Sequence, residues 1–241
     1  PLQNMKAYLD LVAPRQRAEP HDTGISWARI VKLTPQFGLY LLVTAVVALF
    51  FLRGRIRFGE QYLGLVAGMV VVWLIPITQV PLQEYAVRQW LLPGLKAGQS
   101  FFILGAVPAI IGGLIQGVLM TTAVFFVLSW RGLQQNRALP VGVLCGAGFG
   151  FMLACWLTFN TTGSELFDIT FMERSFQIAF HVSSGLIIAA LFCKRVASGI
   201  KGAAMLAGVN ALFSYFVVFA QQRIVDAGML AFLLAFIVLA T

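Results

Sequence analysis

The sequence predicts an all-α, polytopic membrane helix bundle with six to seven transmembrane helices. Of the 241 residues, 59% are hydrophobic and only 11% are charged, and the mean hydropathy is +0.86. A soluble domain carries roughly a quarter charged residues, so this composition is typical of a chain that lies in a bilayer. Apolar runs of about 20 residues, enough to cross ~30 Å of hydrocarbon, recur along the whole chain.

The spans follow one another with short connections. A polar, proline-containing segment precedes the first, so we divide the chain into an amino-terminal tail, 1–34, and a transmembrane helix-bundle domain, 35–241. The predicted spans are 36–52, 61–79, 106–129, 138–159, 171–192 and 202–220. A further apolar run from Ala227 to the last residue has the length of a half-span or of a helix cut short.

Two regions between or within the spans have a composition of their own. The segment 80–100 places Tyr85 and Trp90 beside charges and prolines, which is typical of a helix lying in the membrane interface. The stretches GAVPAIIGG and VGVLCGAGFGFMLACW of the third and fourth spans are rich in glycine and alanine. Small residues let helix backbones approach closely, so these stretches predict tight packing.

The net charge of +8 comes from residues between spans and not from one basic run, so it does not indicate nucleic-acid binding. Connections 1–2, 3–4 and 5–6 are basic, while the connection NTTGSELFDITFMER is acidic. By the positive-inside rule, those three connections lie in the cytoplasm and the amino terminus lies outside. The cysteines Cys145, Cys155 and Cys193 show no metal or redox spacing and are interpreted as small apolar residues.

Span five carries a polar stripe. Glu173, Gln177 and His181 recur at four-residue spacing, Arg174 adjoins the first of them, and Ser184 follows three residues after the histidine. Such spacing places the side chains on one helix face, running from the outer surface to the midplane. Polar groups at that depth are costly and usually face protein or a watery cavity.

Three helices place a polar residue at the same depth. Gln116, His181 and Asn210 each lie about 8–10 residues into their spans, within a few ångströms of the midplane at 1.5 Å per residue. Phe149 of the fourth span falls at that level too. We therefore predict a polar midplane cluster of Gln116, His181 and Asn210.

The motifs that surround this cluster have a familiar arrangement. MERSFQIAFHVSSG contains an arginine followed by a histidine, Arg174 and His181, and GAGFGFMLA contains a glycine framework with Phe149. With GGLIQGVLM and LAGVNALFSY, these stretches resemble the PrsW and YhfC families of bacterial intramembrane proteases, which are relatives of the CAAX-processing type. The resemblance covers Pro108 to Gln222, about half of the chain, and implies a protease-like fold in a bacterial inner (plasma) membrane.

The sequence departs from these families where catalysis would need ionisable groups. Gln116 and Gly117 stand at the glutamate pair, Leu153 at the later glutamate and Asn210 at a further histidine. An amide cannot act as a general base, and a catalytic zinc ion takes three protein ligands, of which only His181 remains. We therefore expect no catalytic residues, no metal site and no cofactor.

The leading hypothesis is a non-catalytic, intramembrane-protease-like integral membrane protein that acts as a subunit or scaffold. Its partners would be membrane lipid and other integral membrane proteins, and the midplane cluster would fix helix register through hydrogen bonds. One alternative is an active protease with an unaligned site, which would need Glu173 or Glu165 close to His181. The other is a proton-coupled transporter or channel subunit in which Glu173, Gln177 and His181 line an aqueous path.

Overall fold

The computed structural model describes residues 27–52, 59–99, 101–132, 135–160 and 169–221. Within these ranges the chain forms helices and turns and contains no strand. One expected element, the apolar run from Ala227, lies outside the described residues. So does most of the acidic connection between the fourth and fifth spans.

The described chain contains eight α-helices and one π-helical turn. The α-helices are α1 (Trp27–Leu52), α2 (Glu60–Val72), α3 (Ile75–Ala86), α4 (Leu92–Lys96), α5 (Phe101–Arg131), α6 (Gln135–Asn160), α7 (Ile169–Lys194) and α8 (Val196–Gln221), and the π-helical turn Val87–Leu91 joins α3 to α4. Six helical stretches are long and apolar enough to cross a membrane, namely Ile30–Leu52, Gln61–Lys96, Ala106–Arg131, Arg137–Asn160, Phe171–Lys194 and Val196–Tyr215. The predicted fold class, a polytopic bundle of membrane helices, is confirmed.

Two helices are longer than the apolar runs that predicted them. Helix α1 begins at Trp27, inside the segment 1–34 that the sequence assigned to a polar tail. The second stretch does not stop at residue 79 but continues as helix, interrupted by a turn at Trp73–Leu74, to Lys96. Both differences have the same cause. Hydropathy identifies the part of a helix that fits in the hydrocarbon layer, and the helix itself can continue beyond that layer.

The spans pack in a closed order. Helix α2 contacts α6, α6 contacts α7, α7 contacts α8, α8 contacts α5, and α5 returns to α2. Helix α1 packs on α6 and α7. There Tyr40 lies within hydrogen-bonding distance of Thr158, 3.1 Å between the two hydroxyl oxygens, and stacks on Phe171 at 5.5 Å between ring centroids. Of the six spans, α6 has the largest buried share.

Glycines permit the close approach of these helices, as the sequence predicted for the fourth span. A Cβ added to Gly146 would collide with the backbone of His181 and Val182 on α7. On α2, a Cβ at Gly68 would collide with the backbone carbonyl of Cys145 and would lie 2.8 Å from the nitrogen of Phe149. Helix α6 therefore touches its neighbours backbone to backbone, which only glycine allows.

We expect the substitution Gly68→Ala to lower the free energy of unfolding by about 1–3 kcal/mol, because the added methyl group meets rigid backbone and not a movable side chain. Gly38→Ala is the matched control, since no atom lies within 4 Å of its added Cβ. An alanine in mid-helix stabilises by about 0.5–1 kcal/mol relative to glycine. Thermal unfolding of both variants in the same detergent would measure the difference. Equal midpoints would contradict the backbone contact at Gly68.

Candidate functional site

The polar core is organised by a chain of hydrogen-bonded amides. The Nδ2 of Asn210 donates to Oε1 of Gln116 at 2.9 Å, and the Nε2 of Gln116 donates to Oε1 of Gln79 at 3.2 Å. The Nε2 of Gln79 donates to Oε1 of Gln83 at 3.1 Å, and the Nε2 of Gln83 donates to the backbone carbonyl of Pro108 at 2.8 Å. This amide chain, Gln79, Gln83, Gln116 and Asn210, links α3, α5 and α8.

A glycine makes room for the amide chain. A Cβ added to Gly112 of α5 would lie 2.8 Å from Nε2 of Gln83 and 3.1 Å from Nε2 of Gln79. On the neighbouring face of α5, Gly113 and Gly117 bring α8 close, because added Cβ atoms there would meet Ala211 and Ala207. The glycine-rich sequence of α5 therefore brings α8 and its Asn210 near and leaves space for the two glutamines of α3.

Sequence reasoning missed Gln79 and Gln83. It ended the second span at residue 79 and assigned the following segment to the membrane interface, so neither glutamine was considered as part of a core. A usable signal was present, since the two residues lie four apart and therefore share one helix face. Gln79 is buried and Gln83 partly buried against α5.

His181 lies outside the amide chain. Its ring packs against Phe149 at 4.8 Å and against Phe180 at 5.4 Å between centroids. Neither ring nitrogen has a hydrogen-bond partner in the part of the chain that the structure describes, and only 1% of the side chain is exposed. The sequence predicts hydrogen bonds among Gln116, His181 and Asn210, and the structure joins only Gln116 and Asn210 in this way.

Helix register explains why the histidine is separate. Phe180 of α7 stacks on Phe213 of α8, with 6.4 Å between centroids, which fixes the antiparallel register of the two helices. Three residues from this contact, Asn210 is level with Ser183, two residues or about 3 Å along the helix axis from His181. A depth counted from the ends of each span cannot resolve a displacement of this size.

The polar stripe of α7 is buried in protein along its length. Glu173, Arg174, Gln177 and Ser184 are all at most 9% exposed, although the first two lie near the predicted membrane edge. The Nε of Arg174, the Oε1 of Gln177 and the Oγ of Ser184 have no hydrogen-bond partner among the described residues. The stripe is thus a continuous polar surface inside the bundle, and only part of it is paired.

The chemistry that the amide chain offers is hydrogen bonding. Across the described ranges, no group of three or more histidine, cysteine, aspartate or glutamate residues is placed to hold a metal ion. The four members of the amide chain are uncharged and do not titrate. The imidazole of His181 is enclosed by Phe149, Phe180 and the close backbone of α6.

Comparison of the chain with protein families, with curated proteins and with solved structures finds no match. The likeness to the PrsW and YhfC families therefore depends on the sequence motifs alone.

A double-mutant cycle between Asn210→Ala and Gln116→Ala should reveal a coupling free energy of about 0.6 kcal/mol, and no more than about 2 kcal/mol, because hydrogen bonds between membrane helices contribute amounts of this size. Reversible unfolding in mixed micelles would measure it. The control cycle pairs Asn210→Ala with Thr122→Val, since the hydroxyl of Thr122 donates to the carbonyl of Val118 on its own helix. Equal coupling in the two cycles would show that the bond between Asn210 and Gln116 does not contribute.

Proposed function

We propose that this integral membrane protein is a non-catalytic relative of the PrsW and YhfC intramembrane proteases, and that it acts as a subunit or scaffold through helix contacts with other membrane proteins. The relationship is supported by the arrangement of Arg174 and His181 on α7 and of Phe149 on α6. The inner (plasma) membrane of a bacterium, with the amino terminus outside, is the location that the motifs and the charge pattern favour.

The observation that carries the proposal is the amide chain. Gln116 and Asn210 stand where the protease families carry ionisable groups, and here they bond to each other at 2.9 Å. A hydrogen-bonded pair of amides does not titrate at neutral pH and contains none of the imidazole, thiolate or carboxylate groups that bind zinc. The bonded pair does fix the positions of α5 and α8 relative to each other. This supports a structural role for Gln116 and Asn210, the positions at which the protease families carry ionisable groups.

A scaffold of this kind would present its outer helix faces to partners. Large apolar side chains are exposed on α2 and α3, where Tyr62, Val66, Val70, Trp73 and Ile77 follow one another at spacings of three or four residues. Lipid covers such a face by default, and a single transmembrane helix of a partner can replace that lipid. Association would depend on close packing, because hydrocarbon supplies no hydrophobic driving force between helices.

A second candidate is a transporter or channel subunit. It is favoured by the unpaired polar atoms of Gln177, His181 and Ser184, which lie along one face of α7 inside the bundle. Ionisable groups inside membrane proteins commonly mark substrate or proton paths.

The test compares the unaltered protein with Glu173→Gln and His181→Gln in its native membrane. Each chain would be purified in a mild detergent, and co-purifying proteins and zinc would be quantified by mass spectrometry. We expect one membrane protein to be present in a constant ratio to all three chains, with zinc far below one ion per chain. A scaffold keeps its partner because neither substitution alters the outer helix faces.

Three outcomes would contradict the scaffold. Stoichiometric zinc on a lone chain, lost in His181→Gln, would indicate a metalloprotease. Cleavage of a membrane substrate that disappears in Glu173→Gln, at an unchanged amount of folded protein, would indicate hydrolysis through that carboxylate. Transport of a solute across the membrane of a proteoliposome by the purified chain, without a partner protein, would favour a transporter or channel function.

A further inference from the structure

Three exposed cationic residues lie where α7 joins α8. Lys194 ends α7, Arg195 connects the two helices, and Lys201 lies in the second turn of α8. All three are exposed, and none forms an ion pair with another described residue. This end of the α7–α8 hairpin therefore presents its positive charge to the surroundings of the protein.

The acidic residues of the described ranges do not balance this charge. Glu84 pairs with Arg88, with 3.7 Å between Oε2 and Nη2, and Glu173 lies near the start of α7, at the opposite end of that helix from Lys194. The third, Glu60, begins α2, which packs on α5 and α6. The charge of the hairpin therefore favours an anionic group from outside the protein, and anionic lipid headgroups are attracted to basic residues at a membrane surface.

Lys201 lies at the depth of the lipid phosphates. It precedes by nine residues Asn210, which the sequence predicts to lie near the midplane, and nine residues of α-helix are about 14 Å long. The hydrocarbon layer extends about 15 Å to each side of the midplane, so this lysine stands at the edge of the layer. The antiparallel register of α7 and α8 puts Lys194 and Arg195 about 3–5 Å further out.

A lipid-facing seam runs inward from Lys201. The seam is the line along which α5 and α8 pack, where Gly113 and Gly117 of α5 meet alanines of α8. The hydrogen bond between Asn210 and Gln116 marks the inner side of the seam, towards the middle of the bundle. The opposite side of the seam therefore faces the surrounding lipid.

Small residues of α8 leave a groove on the outer side of the seam. Ala204 and Gly208 follow Lys201 at spacings of three and four residues, so the three residues share one helix face. Both small residues are exposed. Exposed leucines of the two helices flank the groove, Leu114 on α5 and Leu212 on α8. From Lys201 to Leu212 the groove is about 16 Å long, which matches the hydrocarbon thickness of one leaflet.

Gly208 differs from the other glycines of α8. Gly199 and Gly202 make room for Phe192 and Leu191 of α7, whereas no atom lies within 4 Å of a Cβ added to Gly208. Glycine in the middle of a helix is destabilising relative to alanine, so a contact with a molecule outside the described chain would explain its presence. An acyl chain that crosses the backbone of α8 would occupy this space.

We propose that the groove binds one anionic phospholipid. Its headgroup phosphate contacts Lys201, Lys194 and Arg195 add positive potential, and one acyl chain lies over Ala204 and Gly208. A second copy of the chain fits the groove less well, because two parallel α8 helices that pack through this face would bring two lysine side chains together. The lipid site does not depend on the scaffold role, since the outer face of α2 and α3 stays free for a partner helix.

Lipid titration followed by native mass spectrometry tests the charge of the site. The intact chain, in a neutral detergent, would be titrated with dioleoylphosphatidylglycerol or with dioleoylphosphatidylcholine. We expect one phosphatidylglycerol to bind more tightly than phosphatidylcholine and more tightly than further phosphatidylglycerol molecules. Lys201→Gln should weaken this first binding about fivefold, the factor that corresponds to one basic residue beside an anionic headgroup.

Arg131→Gln is the matched control for the lysine, since it also removes one exposed positive charge at the same end of the bundle. The register of α5 and α8 puts Arg131 about 12 Å further out than Lys201 along the helix axes. This separation exceeds the Debye length of about 8 Å at physiological salt, so the affinity should change by less than about twofold.

A second pair of variants tests the groove. Gly208→Leu and Gly38→Leu are matched, because both glycines are exposed on a helix and no atom lies within 4 Å of a Cβ added to either. Gly208→Leu should weaken the first phosphatidylglycerol about threefold or more, because the acyl chain loses its dispersion contacts with the helix backbone. Gly38→Leu should leave the affinity unchanged. Thermal unfolding of all four variants would verify that each is folded.

Three results would overturn the proposal. Equal affinity for phosphatidylglycerol and phosphatidylcholine would show that the negative charge of the headgroup is not recognised. Equal weakening by Lys201→Gln and Arg131→Gln would assign the preference to the overall positive charge of this end of the bundle. Unchanged lipid affinity in Gly208→Leu would show that no acyl chain lies over Gly208. Loss of a cross-linked dimer in that same variant would assign the groove to contact between two copies of the chain.

Discussion

Hydrocarbon offers no hydrogen bonds, and this constraint determines the organisation of the bundle. Several polar side chains of α3, α5, α7 and α8, among them Gln79, Gln116, His181 and Asn210, are buried between helices. They can lie there only because glycines bring the helix backbones together and, at Gly112, leave space for two glutamine side chains. Close helix packing and the burial of polar side chains thus depend on the same glycines. A substitution that alters the packing also alters the space for the polar side chains.

The two polar regions meet this constraint in different ways. The amide chain is self-sufficient in most of its bonds, because each of its four members donates to the next group along. Amides suit this task, since each both donates and accepts. The face of α7 is not self-sufficient, and its imidazole lies between aromatic rings. The two polar regions of the bundle therefore differ in how far other protein groups satisfy them.

The polar residues of the two regions differ in their partners. Arg174 and His181 lie on the face of α7 whose polar atoms are only partly matched by protein, whereas Gln116 and Asn210 are joined by a hydrogen bond. Neutral amides avoid the cost of burying charge in a low-dielectric core. Gln116 and Asn210 can therefore fix the register of α5 and α8 without a buried charge.

The sequence by itself determined the class of the fold, because the length and apolarity of a membrane helix are local properties that hydropathy measures directly. It also placed Gln116 and Asn210 at one depth and the polar residues of α7 on one face, since both follow from helical periodicity. Only the tertiary structure decided that Gln79 and Gln83 complete the amide chain and that His181 stands apart from it. Those outcomes depend on the rotation and the register of neighbouring helices, and a displacement of about 3 Å along the helix axis, too small to be read from the ends of the spans, separates His181 from Asn210.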